Sequence, residues 1–271
     1  MRQDIAPEEW IRLDRDQRFS QCDDQVKSDE QTWRSGIKIA THSSARFAHP
    51  SSLSLPEGEK SGIKRRHFSV LPRFDPDETS SRSLEKSFAV ANERVPELAA
   101  RAARNALDEW GRPASSITHL IAADLRDVSM MISTVLFGDG ASSVIVGSSS
   151  SLELQEKPLF EISSAAQVLV PDTSEHITIK LRPSGLHVDL SREVPRAIST
   201  NIAQVMSRVL PGFPSYHDLF WAVHPGGPAI LDAVEQALEL YRHKLAASRH
   251  VLADCGNMSC AACLFVIDDE Q

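Results

Sequence analysis

The sequence predicts an α/β fold built in layers, and three stretches carry that expectation. Residues 219–232, Leu-Phe-Trp-Ala-Val-His-Pro-Gly-Gly-Pro-Ala-Ile-Leu-Asp, pass from an apolar run through a histidine and two glycines into a helical pattern. Leu219–Val223 is apolar throughout, as a strand covered on both faces requires, and Pro228 is preset for the first turn of a helix. Leu98, Ala102, Ala106 and Trp110 recur every four residues along Val95–Trp110, and Gly111 and Pro113 stop this amphipathic helix before the strand-like Ile117–Ile121. Met258–Ile267 is apolar on all sides and rich in small residues, the pattern of a helix packed in the interior. Helix, short Gly-Pro connection and buried strand are the units of a layered α/β domain.

Length and composition narrow the class further. A chain of 271 residues, 41% hydrophobic and 24% charged, is enough for one large domain or two. Its apolar runs are far shorter than the roughly 20 residues of a membrane span, and the charged N-terminus lacks the apolar core of a secretory signal. The sequence therefore predicts a soluble, cytoplasmic protein. A net charge of −8 argues against broad nucleic-acid binding while leaving room for a local basic patch that holds a phosphate-bearing ligand. Four cysteines in a chain this long do not make a disulfide framework.

Taken in order, residues 1–56 are polar, serine-rich and without sustained period, so a poorly ordered N-terminal extension is expected there. Trp10, Ile11, Leu13 and Trp33 supply at most one short amphipathic helix. Lys60, Lys64, Arg65 and Arg66 stand close together, as a solvated face or as an anion-contacting patch. Beyond the helix and strand of residues 95–121, Ala122–Ser133 reads as a helix or an irregular connection. Asp139-Gly140 signals a turn, with a phosphate loop at Gly138–Gly140 as the weaker reading, and Val144–Gly147 reads as a strand. The serines of 148–151 mark a boundary between a part spanning 57–147 and a part spanning 148–271. In the second part, Leu159–Ile162, Ala166–Val170, Ile177–Leu181 and Leu186–Leu190 read as strands between turn residues, and Pro195 opens a helix through Val209. After Pro228, the stripe Ile230, Leu231, Val234, Leu238, Tyr241 and Leu245 predicts one long amphipathic helix.

Two residues stand out for chemistry. His224 is placed where a buried strand hands over to a helix, a position at which α/β proteins present functional groups, and it exchanges protons near neutral pH. A hydrogen-bonded structural histidine is the competing reading. Asn257 lies at the entrance to the apolar helix, where its amide either caps the helix or donates to an oxyanion on a thioester.

The segments 219–232 and 249–268 resemble the C-terminal half of plant type III polyketide synthases, the chalcone and stilbene synthase family. His224-Pro-Gly-Gly-Pro-Ala-Ile-Leu-Asp232 and Gly256-Asn-Met-Ser259 are similar to that family's two signature loops. Leu136-Phe-Gly-Asp-Gly-Ala141, Glu109-Trp-Gly with Ile117-Thr-His-Leu-Ile121, and Lys60-Ser with Ile63-Lys-Arg-Arg66 extend the resemblance over 57–121 and 134–269. It implies a thiolase-like αβαβα fold, a homodimer, and condensation of malonyl-CoA units onto a starter acyl-CoA in flavonoid-type polyketide biosynthesis. His224 and Asn257 take the roles of the family's decarboxylating, oxyanion-binding pair. Lys60 takes that of a coenzyme A phosphate contact and Ala229 that of a backbone contact to the pantetheine arm. No metal and no cofactor is expected.

The resemblance has gaps. Where the family carries a longer stretch with its nucleophilic cysteine, a dimer-contacting loop and a gatekeeper phenylalanine, about a dozen residues between Ile121 and Ser133 show no likeness. The expectation is a divergent or truncated member with an incomplete N-terminal half, and the alternative function is a non-catalytic protein that dimerises with intact relatives. A separate reading takes Cys255-x4-Cys260-x2-Cys263 as ligands of an iron–sulfur cluster, against buried thiols acting as small hydrophobes.

Overall fold

The computed structural model describes residues 37–45, 50–51, 61–68, 84–117, 136–148, 159–162, 165, 167–182 and 185–269. A three-stranded antiparallel sheet has β1 (Ile37–Ala45) at its centre, flanked by β4 (Ala141–Ser148) and β5 (Phe160–Ile162). Between β1 and β5 in the chain, β2 (Pro50–Ser51) pairs with β3 (Arg66–His67), and α1 (Leu84–Trp110) follows. Helix α1 and the last helix, α5 (Ala261–Asp269), both pack against β1 and β4. They cover opposite faces: Ala141 packs with Leu98 and Ala102 of α1, whereas the Ser142 hydroxyl donates to the Ala261 carbonyl of α5 at 3.3 Å, and neighbouring strand residues point to opposite sides. This is a helix–sheet–helix layering, and the fold is α/β.

The sheet departs from expectation in its composition. Residues 1–56 were expected to be a loosely attached extension, yet β1 comes from this stretch and pairs with a strand from each of the two later parts. Its sequence alternates at Ile37, Ile39 and Thr41, a period-two signal too short to stand out beside the serines that follow. Strand β4 is longer than the predicted Val144–Gly147 because it has that partner along its length. The described ladders are all antiparallel. The helix suggested by Trp10 to Trp33, residues 118–121 of the predicted strand, and Ala122–Ser133 lie outside the described residues.

The helices of the second part form two apolar clusters. Helices α2 (Val194–Val209) and α3 (Pro228–Ala237) pack together. Ile198, Ile202 and Met206 of α2 rest against the buried Leu231, Val234, Leu238, Leu245 and Leu252. The second cluster joins α4 (Ala246–Cys255) to α5 through Ala247, Val251, Cys255, Met258, Ala262, Phe265 and Val266. Two of the expected strands, β6 (Ile177–Arg182) and β7 (Gly185–Leu190), pair antiparallel with Ile177 opposite Leu190. Ala166–Val170, expected as a strand, has no strand among its described residues. Among the described residues, no helix is long and apolar enough to cross a membrane.

Two further expectations are corrected. Leu219–Val223 is not a strand, and Phe220 is half exposed. Side chains rather than a neighbouring strand bond its backbone: Lys244 Nζ donates to the Leu219 carbonyl at 3.0 Å and Ser248 Oγ to that of Val223 at 2.8 Å. The helix after Pro228 stops at Ala237 instead of continuing to Leu245. Glu239 takes a left-handed φ of 52°, the Leu240 amide reaches back to the Glu235 carbonyl at 2.9 Å, and the Glu239 amide to Gln236 at 3.3 Å. That bonding pattern is a Schellman stop made without glycine. It turns Leu240 into the core and leaves Tyr241 exposed, opposite to a continuous stripe.

Candidate functional site

The His224 corner is made by its own sequence. Pro225 holds φ near its fixed value, and the Gly226 amide donates back to the His224 carbonyl at 2.8 Å, a three-residue turn. Pro228 then opens α3 at its first position, with Gly227 as the cap. Gly226 lies in close quarters: a β-carbon there would lie 2.8 Å from Ile230 Cδ1 and 3.3 Å from the His224 ring. The ring therefore lies beside the Gly226 backbone. Burial pushes the His224 imidazole below the ordinary histidine range, so it is neutral at neutral pH and keeps one N–H and one acceptor nitrogen.

Asn257 reaches the same corner from the other side. Helix α4 ends at Gly256, whose φ of 73° is left-handed and whose amide bonds the Leu252 carbonyl at 3.0 Å. Asn257, only 6% exposed, then donates from Nδ2 to the Gly226 carbonyl at 3.2 Å, while its Oδ1 accepts from the Ser259 amide at 2.8 Å. One end of the amide meets a donor and the other an acceptor, so a single orientation satisfies both. The second Nδ2 hydrogen is left to point away from the Gly226 bond. Asn257 thus holds the 257–259 turn that precedes α5.

The Leu136–Gly140 loop backs this corner. Phe137 forms a parallel bridge with Asn257: the Asn257 amide donates to the Leu136 carbonyl at 2.8 Å, and the Gly138 amide to that of Asn257 at 3.0 Å. A β-carbon on Gly138 would collide with the Cys255 carbonyl, and one on Gly140 with the Met258 sulfur. The glycines read as a turn signal are required by close packing against the asparagine loop. Asp139 bonds the backbone of His67 at 2.8 Å, which ties β3 to the same assembly.

The structure thus brings His224 and Asn257 to one glycine. Ala229 is exposed at the second position of α3, and the Ile230 and Leu231 amides that follow it donate back to the Gly227 carbonyl at 3.1 and 3.3 Å. Lys60 lies outside the described residues. Sequence reasoning missed Arg66, which is 2% exposed, its guanidinium pKa lowered by burial; within a basic run it reads as one more solvated cation. Of the three cysteines of the iron–sulfur reading, Cys255 is buried, Cys263 half-buried and Cys260 exposed.

Residues 59–131 match the family model for chalcone and stilbene synthases, N-terminal domain, and residues 161–271 match that for chalcone and stilbene synthases, C-terminal domain. The N-terminal match continues past Ile121 into the stretch where the motifs show no likeness. Both the His224 and the Asn257 loops fall within the C-terminal match.

Proposed function

The chain belongs to the chalcone and stilbene synthase family, and from that premise we propose that the His224–Gly226–Asn257 corner activates malonyl-CoA in a type III polyketide synthase-like acyltransferase. The observation that carries this reading is the Asn257 amide, anchored by the Ser259 amide and the Gly226 carbonyl with its second Nδ2 hydrogen outside that bond, and the neutral His224 ring beside the Gly226 backbone. Two such donors suit the oxygen of a thioester carbonyl. As the bond from the malonyl α-carbon to its carboxylate breaks, carbon dioxide leaves and the electron pair becomes an enolate, whose negative charge the donors meet. Protonation of the enolate by water gives acetyl-CoA. In the condensation, the enolate carbon attacks instead the carbonyl carbon of the acyl group derived from a starter CoA thioester, the carbon–sulfur bond of that thioester breaks with its thiolate leaving, and the chain is extended by two carbons. Lys60 holds the coenzyme A phosphates in this scheme, and the exposed N-terminal turn at Ala229 meets the pantetheine arm. The setting is cytoplasmic, flavonoid-type polyketide biosynthesis in a plant, in a homodimer with the second part at 148–271.

Condensation by the family's route needs a thiolate that can be reached and acylated. Cys255 is 1% exposed, burial and then the neighbouring Cys260 raise the pKa of Cys263, and Cys260 is exposed. The burial of Cys255 and the raised Cys263 favour a second reading for the extension step, a partner that dimerises with intact relatives without itself carrying the chain. One assay separates the readings. Purified protein is given malonyl-CoA and acetyl-CoA release is followed, with a radiolabelled starter thioester in parallel. Acetyl-CoA release abolished by His224→Ala, without covalent label, supports malonyl activation alone. Covalent label supports full condensation by an unassigned nucleophile, and neither signal supports the non-catalytic partner.

A further inference from the structure

We propose that His67, Asp254 and Cys255 form a binding site for a divalent transition-metal ion such as zinc, behind the Asn257 loop. An imidazole nitrogen, a carboxylate oxygen and the thiol sulfur lie within 4.8 Å of one another. His67 and Cys255 are buried, and Asp254, its side chain 20% exposed, opens the cluster to solvent. Nitrogen, thiolate sulfur and carboxylate oxygen together are a donor set for zinc and the ions that replace it, and a fourth tetrahedral position goes to water. Metal–ligand bonds of about 2.0–2.3 Å at tetrahedral angles put donors roughly 3.3–3.8 Å apart, so no pair has to close by more than about 1.5 Å on binding.

The backbone carrying these donors is already fixed. The amides of Lys64 and Arg65 both donate to the Ala253 carbonyl, at 2.7 and 2.9 Å, which joins the approach to β3 to the end of α4. Arg65 Nε holds Asp254 Oδ1 at 3.0 Å, an outer partner of the kind that orients a ligating carboxylate. The donors come from positions 67, 254 and 255, so no spacing motif announces them. Cys255 immediately precedes Gly256-Asn257, and the His67 carbonyl is bonded by Asp139 of the loop that backs Asn257. A bound ion therefore clamps together the two segments that position the asparagine, whichever reaction that asparagine serves.

The test uses the full chain, stripped with a chelator and titrated with Co²⁺. A thiolate-to-cobalt charge-transfer band with tetrahedral visible absorption, both displaced by Zn²⁺, is the expected result. Cys255→Ser abolishes the charge-transfer band, and His67→Gln and Asp254→Asn each weaken Co²⁺ binding at least tenfold, on the order of ligand-sphere losses in other sites. The double variant Cys260→Ser/Cys263→Ser leaves the spectrum unchanged. Asp254→Asn, at the most exposed ligand, keeps the test valid if the buried variants fail to fold, as circular dichroism reports. Absence of the band in the wild-type protein, its persistence in Cys255→Ser, or its loss with the Cys260/Cys263 pair overturns the proposal. Activity is not read, so failure here leaves the malonyl-CoA reading standing.

Discussion

At the scale of single residues, His224 shows how burial sets a side chain's chemistry. Its imidazole loses hydration and so prefers its neutral form, with a pKa lowered from an ordinary value of about 6.5. The sign of the stability consequence follows. As pH falls through about 6.5, the unfolded chain binds a proton that the folded chain refuses, so acidification favours unfolding until the lowered folded pKa is passed. Urea unfolding between about pH 7 and pH 5 should show the wild type losing more stability than His224→Gln, the difference developing below about pH 6.5. Equal slopes would show that the imidazole is not desolvated. The sequence placed His224 at the strand-to-helix switch, but its neutrality depends on burial, which only the fold supplies. The choice between capping and oxyanion roles for Asn257 was likewise beyond sequence, because it rests on which way an amide faces.

At the scale of elements, the junctions between helices decide where these side chains go. Gly256 ends α4 with a left-handed φ of 73°, and a β-carbon there would lie 2.8 Å from the Leu136 carbonyl oxygen. Gly256→Ala thus meets backbone strain and a backbone clash together, and the expected loss is about 1–3 kcal/mol. Thermal unfolding measures it, and a loss below about 0.5 kcal/mol would place the variant with neutral surface changes and deny that this turn is tightly held. Glycine and proline made such junctions legible: Gly111 after α1 and Pro228 before α3 both act where the sequence puts them. The stop at Glu239 was not legible, since a non-glycine residue supplies the left-handed turn. Leu219–Val223 was misread for a related reason. An apolar run satisfies a buried strand and an extended segment bonded by Lys244 and Ser248 equally well, and only the partners tell them apart.

At the scale of the whole molecule, the site stands on two apolar clusters, one under the His224 loop and one under the Asn257 loop. Arg249 on α4 links them electrostatically to α3, bonding Asp232 at 2.8 Å and Glu235 at 2.7 Å. Burial alone would lower its pKa, but the two carboxylates outweigh that and raise it. Leu231 is fully buried in the first cluster. Leu231→Ala should cost about 3–5 kcal/mol by denaturant unfolding, and a cost under 1 kcal/mol would show that the cluster is not close-packed. The layered α/β class was legible because its helical periods and its β6–β7 alternation are local signals. The central place of β1 was not, because strand pairing over about a hundred residues leaves no trace in a single short run.

The central claim is that the donors of His224 and Asn257 act together on one thioester oxygen. It is tested most directly by the rate of acetyl-CoA release from malonyl-CoA in the wild type, His224→Ala, Asn257→Ala and the double variant, each first shown to be folded. Each single variant should lose roughly 10²–10³ in rate, the usual worth of one donor in such a site. The double variant should lose less than the product of the two, because groups serving one oxygen are not independent. Acetyl-CoA release that survives either substitution unchanged would contradict the account.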